Sequence, residues 1–238
     1  MRALLISSSV CHPTGYLDHA EEEIRDLLGA VRRVLFLPYA LFDRDAYAAK
    51  AAESFGRMGY EVVSAHRATN PARAALDAEA VFVGGGNTFR LLKSLYDLEL
   101  LRPLRDRALE GMPYVGASAG TNVAGVTIGT TNDMPIVEPP SFEALGLVDF
   151  NLNPHYLDPD PASTHKGETR DERIAQFLEE SATPVVALRE GAMLRVDGDA
   201  VTVCGTGGGR IFRRGREAVE IATGEDLRPF LAENIRRN

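Results

Sequence analysis

Pro113-Tyr114-Val115-Gly116-Ala117-Ser118-Ala119-Gly120-Thr121 is the stretch on which the reading of this chain turns. An apolar run leads into a Gly-x-Ser-x-Gly pentapeptide, and the small residues Thr121, Val123, Ala124 and Gly125 continue it as a predicted helix. A serine at a sharp strand-to-helix turn needs small neighbours so that the backbone can bend. Its hydroxyl then projects from the sheet edge at the positive end of a helix. In that geometry a carbonyl reaches Ser118 Oγ while the Ala119 N–H faces a developing oxyanion. The same pentapeptide also arises by chance in turns, so its neighbours must decide.

Upstream, short apolar runs alternate with amphipathic stretches. Ala3-Leu4-Leu5-Ile6, Val34-Leu35-Phe36-Leu37, Glu61-Val62-Val63-Ser64, Ala80-Val81-Phe82-Val83 and Tyr114-Val115-Gly116 read as strands. Residues 18–28, about 43–59, 87–96 and 100–110 read as helices between them. Such βαβα alternation predicts an α/β fold with a mostly parallel sheet and helices on both faces. Downstream, residues 132–140 are loop-like and Phe150-Asn151-Leu152 is a short strand. Residues 169–180 form a helix opened by a capping box of Thr169 and Glu172, and Val185-Val186-Ala187-Leu188 is a further strand. From Ala192 onward, turns at Asp197-Gly198-Asp199 and Arg214-Gly215 predict antiparallel hairpins at the C-terminal edge, before a final helix over about residues 224–235.

Bulk properties narrow the function. At 238 residues, 45% apolar and 25% charged, the chain suits one domain, residues 1–238, able to bury about 70% of its unfolded surface. No linker, repeat or low-complexity segment divides it. The net charge of −8 and the lack of a basic run interleaved with aromatics argue against a nucleic-acid partner. No window of 18 apolar residues suggests a membrane span. The apolar core after Met1 is too short for a signal peptide, so the expected location is cytoplasmic. Cys11 and Cys204 are far apart in sequence, in no metal-like spacing, and predict neither a metal site nor a disulfide. Oligomeric state is not readable from the chain.

Candidate site residues follow from what a serine nucleophile requires. Gly84-Gly85-Gly86-Asn87 ends a strand and opens a helix, the place where ligands gather in open α/β sheets. Gly85 and Gly86 are candidates for the second half of an oxyanion hole, with Asn87 as a candidate substrate contact. The alternative is a tight turn that merely needs positive φ. The later glycine run, residues 205–209, has no helix behind it and reads as a hairpin turn. Among the histidines, His155 follows a strand and is the preferred base, with His165 second. His12, His19 and His66 lie in loops or at helix starts. Glu190, at a strand end before Gly191, and Asp133, in a polar loop, are both candidates to hold the imidazole. Arg170 falls in the first turn of a helix, where a cation opposes the dipole by a few tenths to about 1 kcal/mol. It suits a carboxylate receptor, or else an exposed pair with Asp171 or Glu172.

Together the stretches FVGGGNTFRLLKSL (82–95), YVGASAGTNVA (114–124), TTNDMPIVEPPSFEALGLVDFNLNPH (130–155), HKGETRDERI (165–174) and LREG (188–191) resemble the peptidase E family of α-aspartyl dipeptidases. The Asn-Asp-Met-Pro-Ile-Val-Glu-Pro-Pro-Ser-Phe run is far more specific than the serine pentapeptide. The resemblance implies a fold akin to class I glutamine amidotransferases, with serine in place of cysteine. It further implies hydrolysis of small dipeptides beginning with aspartate, without metal or cofactor. Carried onto this chain, it makes Ser118 the nucleophile, His155 the base, Asp133 or Glu190 the third member, and Arg170 the reader of the aspartyl side chain. Rigidity of a strand end favours Glu190, leaving Asp133 to receive the substrate ammonium or to hold a loop. Residues 156–164 look less typical of the family. The rival readings are an α/β-hydrolase esterase using Ser118, Asp133 and His155 in that order, a cyanophycinase-like peptidase acting on polyaspartate-linked polymer, and a non-catalytic anion- or nucleotide-binding module at residues 84–87.

Overall fold

The computed structural model describes residues 1–160, 162, 164 and 166–231. Strands β1 (Arg2–Ile6), β2 (Arg33–Leu37), β3 (Glu61–Ser64), β4 (Val81–Val83) and β5 (Tyr114–Ala117) form a parallel array, and β8 (Ala192–Asp197) and β9 (Ala200–Gly205) extend it antiparallel. The seven-stranded order is β3-β2-β4-β5-β1-β8-β9. A second sheet, in the order β11-β10-β7-β6, contains β6 (Asn151–Asn153), β7 (Val185–Leu188), β10 (Gly209–Phe212) and β11 (Val219–Ile221). Only its β6–β7 pair is parallel.

Alternation along β1 explains the layers, because successive side chains of a strand point to opposite faces. Leu4 and Ile6 join a core with Val34, Phe36 and Phe82, covered by α1 (Glu21–Leu28) and α2 (Arg44–Arg57) through Ile24, Leu27, Ala51 and Phe55. Ala3 and Leu5 face the other way, towards α3 (Pro71–Leu76), α4 (Thr88–Asp97) and α5 (Leu101–Leu109). Leu152, Val186, Leu188 and Ile211 of the second sheet belong to that same cluster. The second sheet's other face carries α7 (Arg170–Glu180), packed through Ile174 and Leu178 on Val185, Ala187 and Phe212.

Three expectations need correction. The helix after Ser118 is a single turn, α6 (Ala119–Asn122). The carbonyls of Val123, Ala124 and Gly125 instead accept from Leu145, Leu147 and Gly146 of a returning loop. Residues 205–209 do not close a hairpin. They carry the chain from β9 in one sheet to β10 in the other, and the C-terminal β-segments therefore divide between two sheets. The final helix, α8 (Arg228–Leu231), starts later than expected, because residues 224–227 form a turn and an isolated bridge of Asp226 to Thr202, and residues 232–235 of the expected helix lie outside the described residues.

Candidate active site

Ser118 leaves β5 with φ 52° and ψ −109°, a conformation L-residues rarely adopt. Such strain costs about 1–3 kcal/mol and persists only where the surroundings over-determine it. Here the surroundings do so. The Ser118 N–H donates to the Ile6 carbonyl (3.0 Å), and the Thr121 hydroxyl reaches the Ile6 and Gly116 carbonyls at 2.7 and 2.9 Å. The Tyr114 hydroxyl donates to the Gly120 carbonyl (2.6 Å). A Cβ on Gly116 would lie 2.6 Å from the Gly120 oxygen, so the first glycine of the pentapeptide is set by close packing rather than by φ. Serine Oγ then lies 2.8 Å from His155 Nε2.

His155 is a second strained residue, φ 56°, just beyond β6. Its N–H donates to Ser7 Oγ (3.0 Å), and the Ser7 hydroxyl donates to the Leu188 carbonyl (2.9 Å). Ser7 is fully buried just past β1, and it ties both sheets together at the imidazole. Sequence reasoning missed this residue; its signal is a small polar residue directly after an apolar parallel strand. His155 Nδ1 lies 2.5 Å from Glu190 Oε1, and the two side chains remain roughly half exposed. Glu190 sits in the turn from β7 to β8, where Gly191 has φ 79°. A Cβ on Gly207 would meet the Glu190 carbonyl oxygen at 2.7 Å. The glycine run read as a turn is thus the backing of the turn that carries this acid.

Asp133 lies elsewhere. Its Oδ2 accepts from the Thr88 N–H (2.7 Å) and the Thr88 hydroxyl (2.6 Å) at the start of α4. Asn87 is committed at both ends of its amide: Oδ1 caps α4 by accepting from the Arg90 N–H (3.0 Å), and Nδ2 donates to the Met134 carbonyl (2.9 Å). Both residues fix the loop of residues 130–134 to the glycine turn. Gly85 abuts the nucleophile, since a Cβ there would stand 2.9 Å from Ser118 Cβ. Burial raises the pKa of the Tyr47 hydroxyl, while Tyr16 and the Gly85 backbone favour its ionised form. Gly86, at φ 133°, would meet the Ala40 carbonyl carbon and oxygen with any Cβ.

Arg170 is the first residue of α7 and lines a cavity of about 440 Å³ with Leu157, Asp158 and Arg173. The acids that could have paired with it are taken. Asp171 accepts from the Tyr156 hydroxyl (2.5 Å) and Arg210 (2.7 Å), and Glu172 completes the capping box with Thr169. Among the described residues Arg170 has no hydrogen-bond or ion-pair partner, and burial, then Arg173, lowers its pKa. Both effects penalise its charge and make an incoming carboxylate favourable. His165 lies outside the described residues. His66 pairs with Ser64 and Asp45, away from the serine. His19 is held below the ordinary imidazole value by burial, with the Ser8 backbone and Glu190 opposing that shift. Cys11 and Cys204 are both free thiols.

This arrangement can abstract a proton from a hydroxyl and hold the resulting imidazolium, which is the chemistry of acyl transfer. Residues 3–204 match the profile of Peptidase family S51. A Streptomyces coelicolor protein named peptidase E is 52% identical over 231 residues, covering 97% of this chain and 95% of that one. A Drosophila melanogaster protein named probable alpha-aspartyl dipeptidase is 49% identical, covering 94% and 95%. The crystal structure of a peptidase from an acI-B1 actinobacterium has the same fold, with a TM-score of 0.66 at 18% identity over 94% of this chain and 95% of that one.

Proposed function

The chain belongs to Peptidase family S51, and from that premise we propose that it is a serine dipeptidase cleaving dipeptides whose first residue is aspartate. The observation that carries this reading is the unbroken line Glu190 Oε1, His155 Nδ1, His155 Nε2 and Ser118 Oγ, with links of 2.5 and 2.8 Å, set on a strained elbow. With Nε2 accepting the serine proton, Nδ1 carries hydrogen and donates to Glu190. The carboxylate fixes that tautomer and stabilises the imidazolium. Ser118 attacks the aspartyl carbonyl, and the oxyanion forms against the Ala119 N–H and a glycine-turn N–H. Gly85 and Gly86 are the candidates for that second donor. His155 then protonates the leaving amine, and water, deprotonated by the same ring, releases aspartate. Every step is carried by side-chain and backbone groups of this chain.

The name of the Drosophila relative supports aspartate as the first residue, and the unpaired Arg170 supplies a receptor for its β-carboxylate. A two-pronged guanidinium contact in a partly dry cavity is worth about 2–3 kcal/mol. Arg170→Ala therefore lowers kcat/KM for Asp-Leu by roughly 10²-fold and changes Ala-Leu hydrolysis little. Equal losses on both substrates would refute the specificity role. Among the described residues no helix is long and apolar enough to cross a membrane. The same reading has residues 1–238 working as one cytoplasmic domain on small peptides, with no nucleic-acid partner.

A further inference from the structure

Cleavage of a dipeptide leaves its second residue to be seated, and a second cavity meets that need. It has a volume of about 550 Å³ and is bounded by Gly85 and Gly86 on one side and by Tyr16, Phe42, Tyr47 and Lys50 on others. It shares no lining residue with the Arg170 cavity. Gly85, which lines this space, also packs directly on Ser118, so one residue separates the cavity from the nucleophile.

Its walls have two unusual features. Phe42 is 87% exposed and the adjoining Leu41 is 39% exposed, so a large apolar surface faces the cavity with little to cover it. Lys50 holds its ammonium 4.5 Å from the centre of the Tyr16 ring and, among the described residues, has no carboxylate within ion-pair distance. Asp43, an acid of the same wall, is turned to the Ala46 N–H as the cap of α2. The cavity thus combines an apolar wall with an ammonium that, among the described residues, no carboxylate pairs.

We propose that this cavity binds the leaving residue of the dipeptide, its apolar side chain against Phe42, Leu41 and the two tyrosines and its free C-terminal carboxylate on Lys50. The inference rests on the dipeptidase reading of Ser118. One residue of extended chain spans about 3.5 Å, so a carboxylate one residue beyond the scissile bond stays inside a cavity that starts at Gly85. The volume falls in the range of small-molecule sites, roughly 300–1,000 Å³. A cation at that distance favours chains that end there, because a longer peptide offers Lys50 a neutral amide.

The test compares kcat/KM for Asp-Leu, Asp-Leu-amide and Asp-Gly in the wild type and in Lys50→Met, Lys50→Arg and Phe42→Ala. The wild type prefers Asp-Leu over its amide by about tenfold, as expected for one charge-assisted hydrogen bond. Lys50→Met brings that ratio to about one, while Lys50→Arg keeps most of it. Phe42→Ala lowers the Asp-Leu to Asp-Gly ratio by about fivefold. A wild-type ratio near one, or a Lys50→Met enzyme that retains the wild-type ratio, overturns the subsite and leaves the Ser118 reading standing. Failure of the wild type to cleave any of the three overturns that reading and the subsite with it.

Discussion

Asp133 and Glu190 are both loop carboxylates, and they are held in opposite ways. Asp133 spends one oxygen on two donors of Thr88, at 2.7 and 2.6 Å, and sits at the positive start of α4. Its carboxylate is an anchor for the loop of residues 130–134. Glu190 is fixed through its backbone instead. Gly191 turns the chain, Gly207 packs on the Glu190 carbonyl, and the Arg189 and Ala192 amides are bonded on either side. Among the described residues the Glu190 carboxylate is left to a single hydrogen-bond partner, His155 Nδ1 at 2.5 Å. An acid that already satisfies a helix start has little left to orient an imidazole, whereas a fixed backbone with an uncommitted carboxylate is suited to it.

The contrast can be broken by substitution. Glu190→Gln removes the charge that stabilises the imidazolium and permits the wrong tautomer, so kcat for Asp-Leu falls by about 10³–10⁴-fold with the thermal midpoint close to wild type. Asp133→Asn does the reverse. It weakens the contact to Thr88 by roughly 1 kcal/mol, lowers Tm by about 2–4 °C and reduces kcat by less than tenfold. Steady-state rates and melting curves on the two variants check both statements. If Asp133→Asn abolished acylation while Glu190→Gln did not, the roles would be exchanged.

Local signals carried the parallel sheet and the elbow, because each parallel strand is a short apolar run bounded by turn residues. The capping box at Thr169 and Glu172 was legible for the same reason, being a pattern within four residues. The second sheet was not legible as a sheet. It brings Asn151–Asn153 beside Val185–Leu188 in parallel, a pairing across a helix and a long loop that no local pattern records. β6 also reads as half polar, because the buried Asn151 and Asn153 side chains serve the backbone at Thr127 and Thr130. Missing that sheet hid the crossing made by residues 205–209 and therefore the backing of Glu190. It also hid Ser7, whose hydroxyl works only because β1 and the two strands of the other sheet meet at one point. The proposals of Ser118, of His155 and of Glu190 over Asp133 came from residue type and position, and the geometry adds how differently the two acids are held.

The most direct test is intact-mass and peptide mapping after reaction with a fluorophosphonate, which reports the activated hydroxyl itself. A single adduct on Ser118, absent in Ser118→Ala, formed much more slowly in Glu190→Gln and at near wild-type rate in Asp133→Asn, is the expected result. No adduct on folded wild-type protein, or labelling at another residue that persists in Ser118→Ala, would contradict the account.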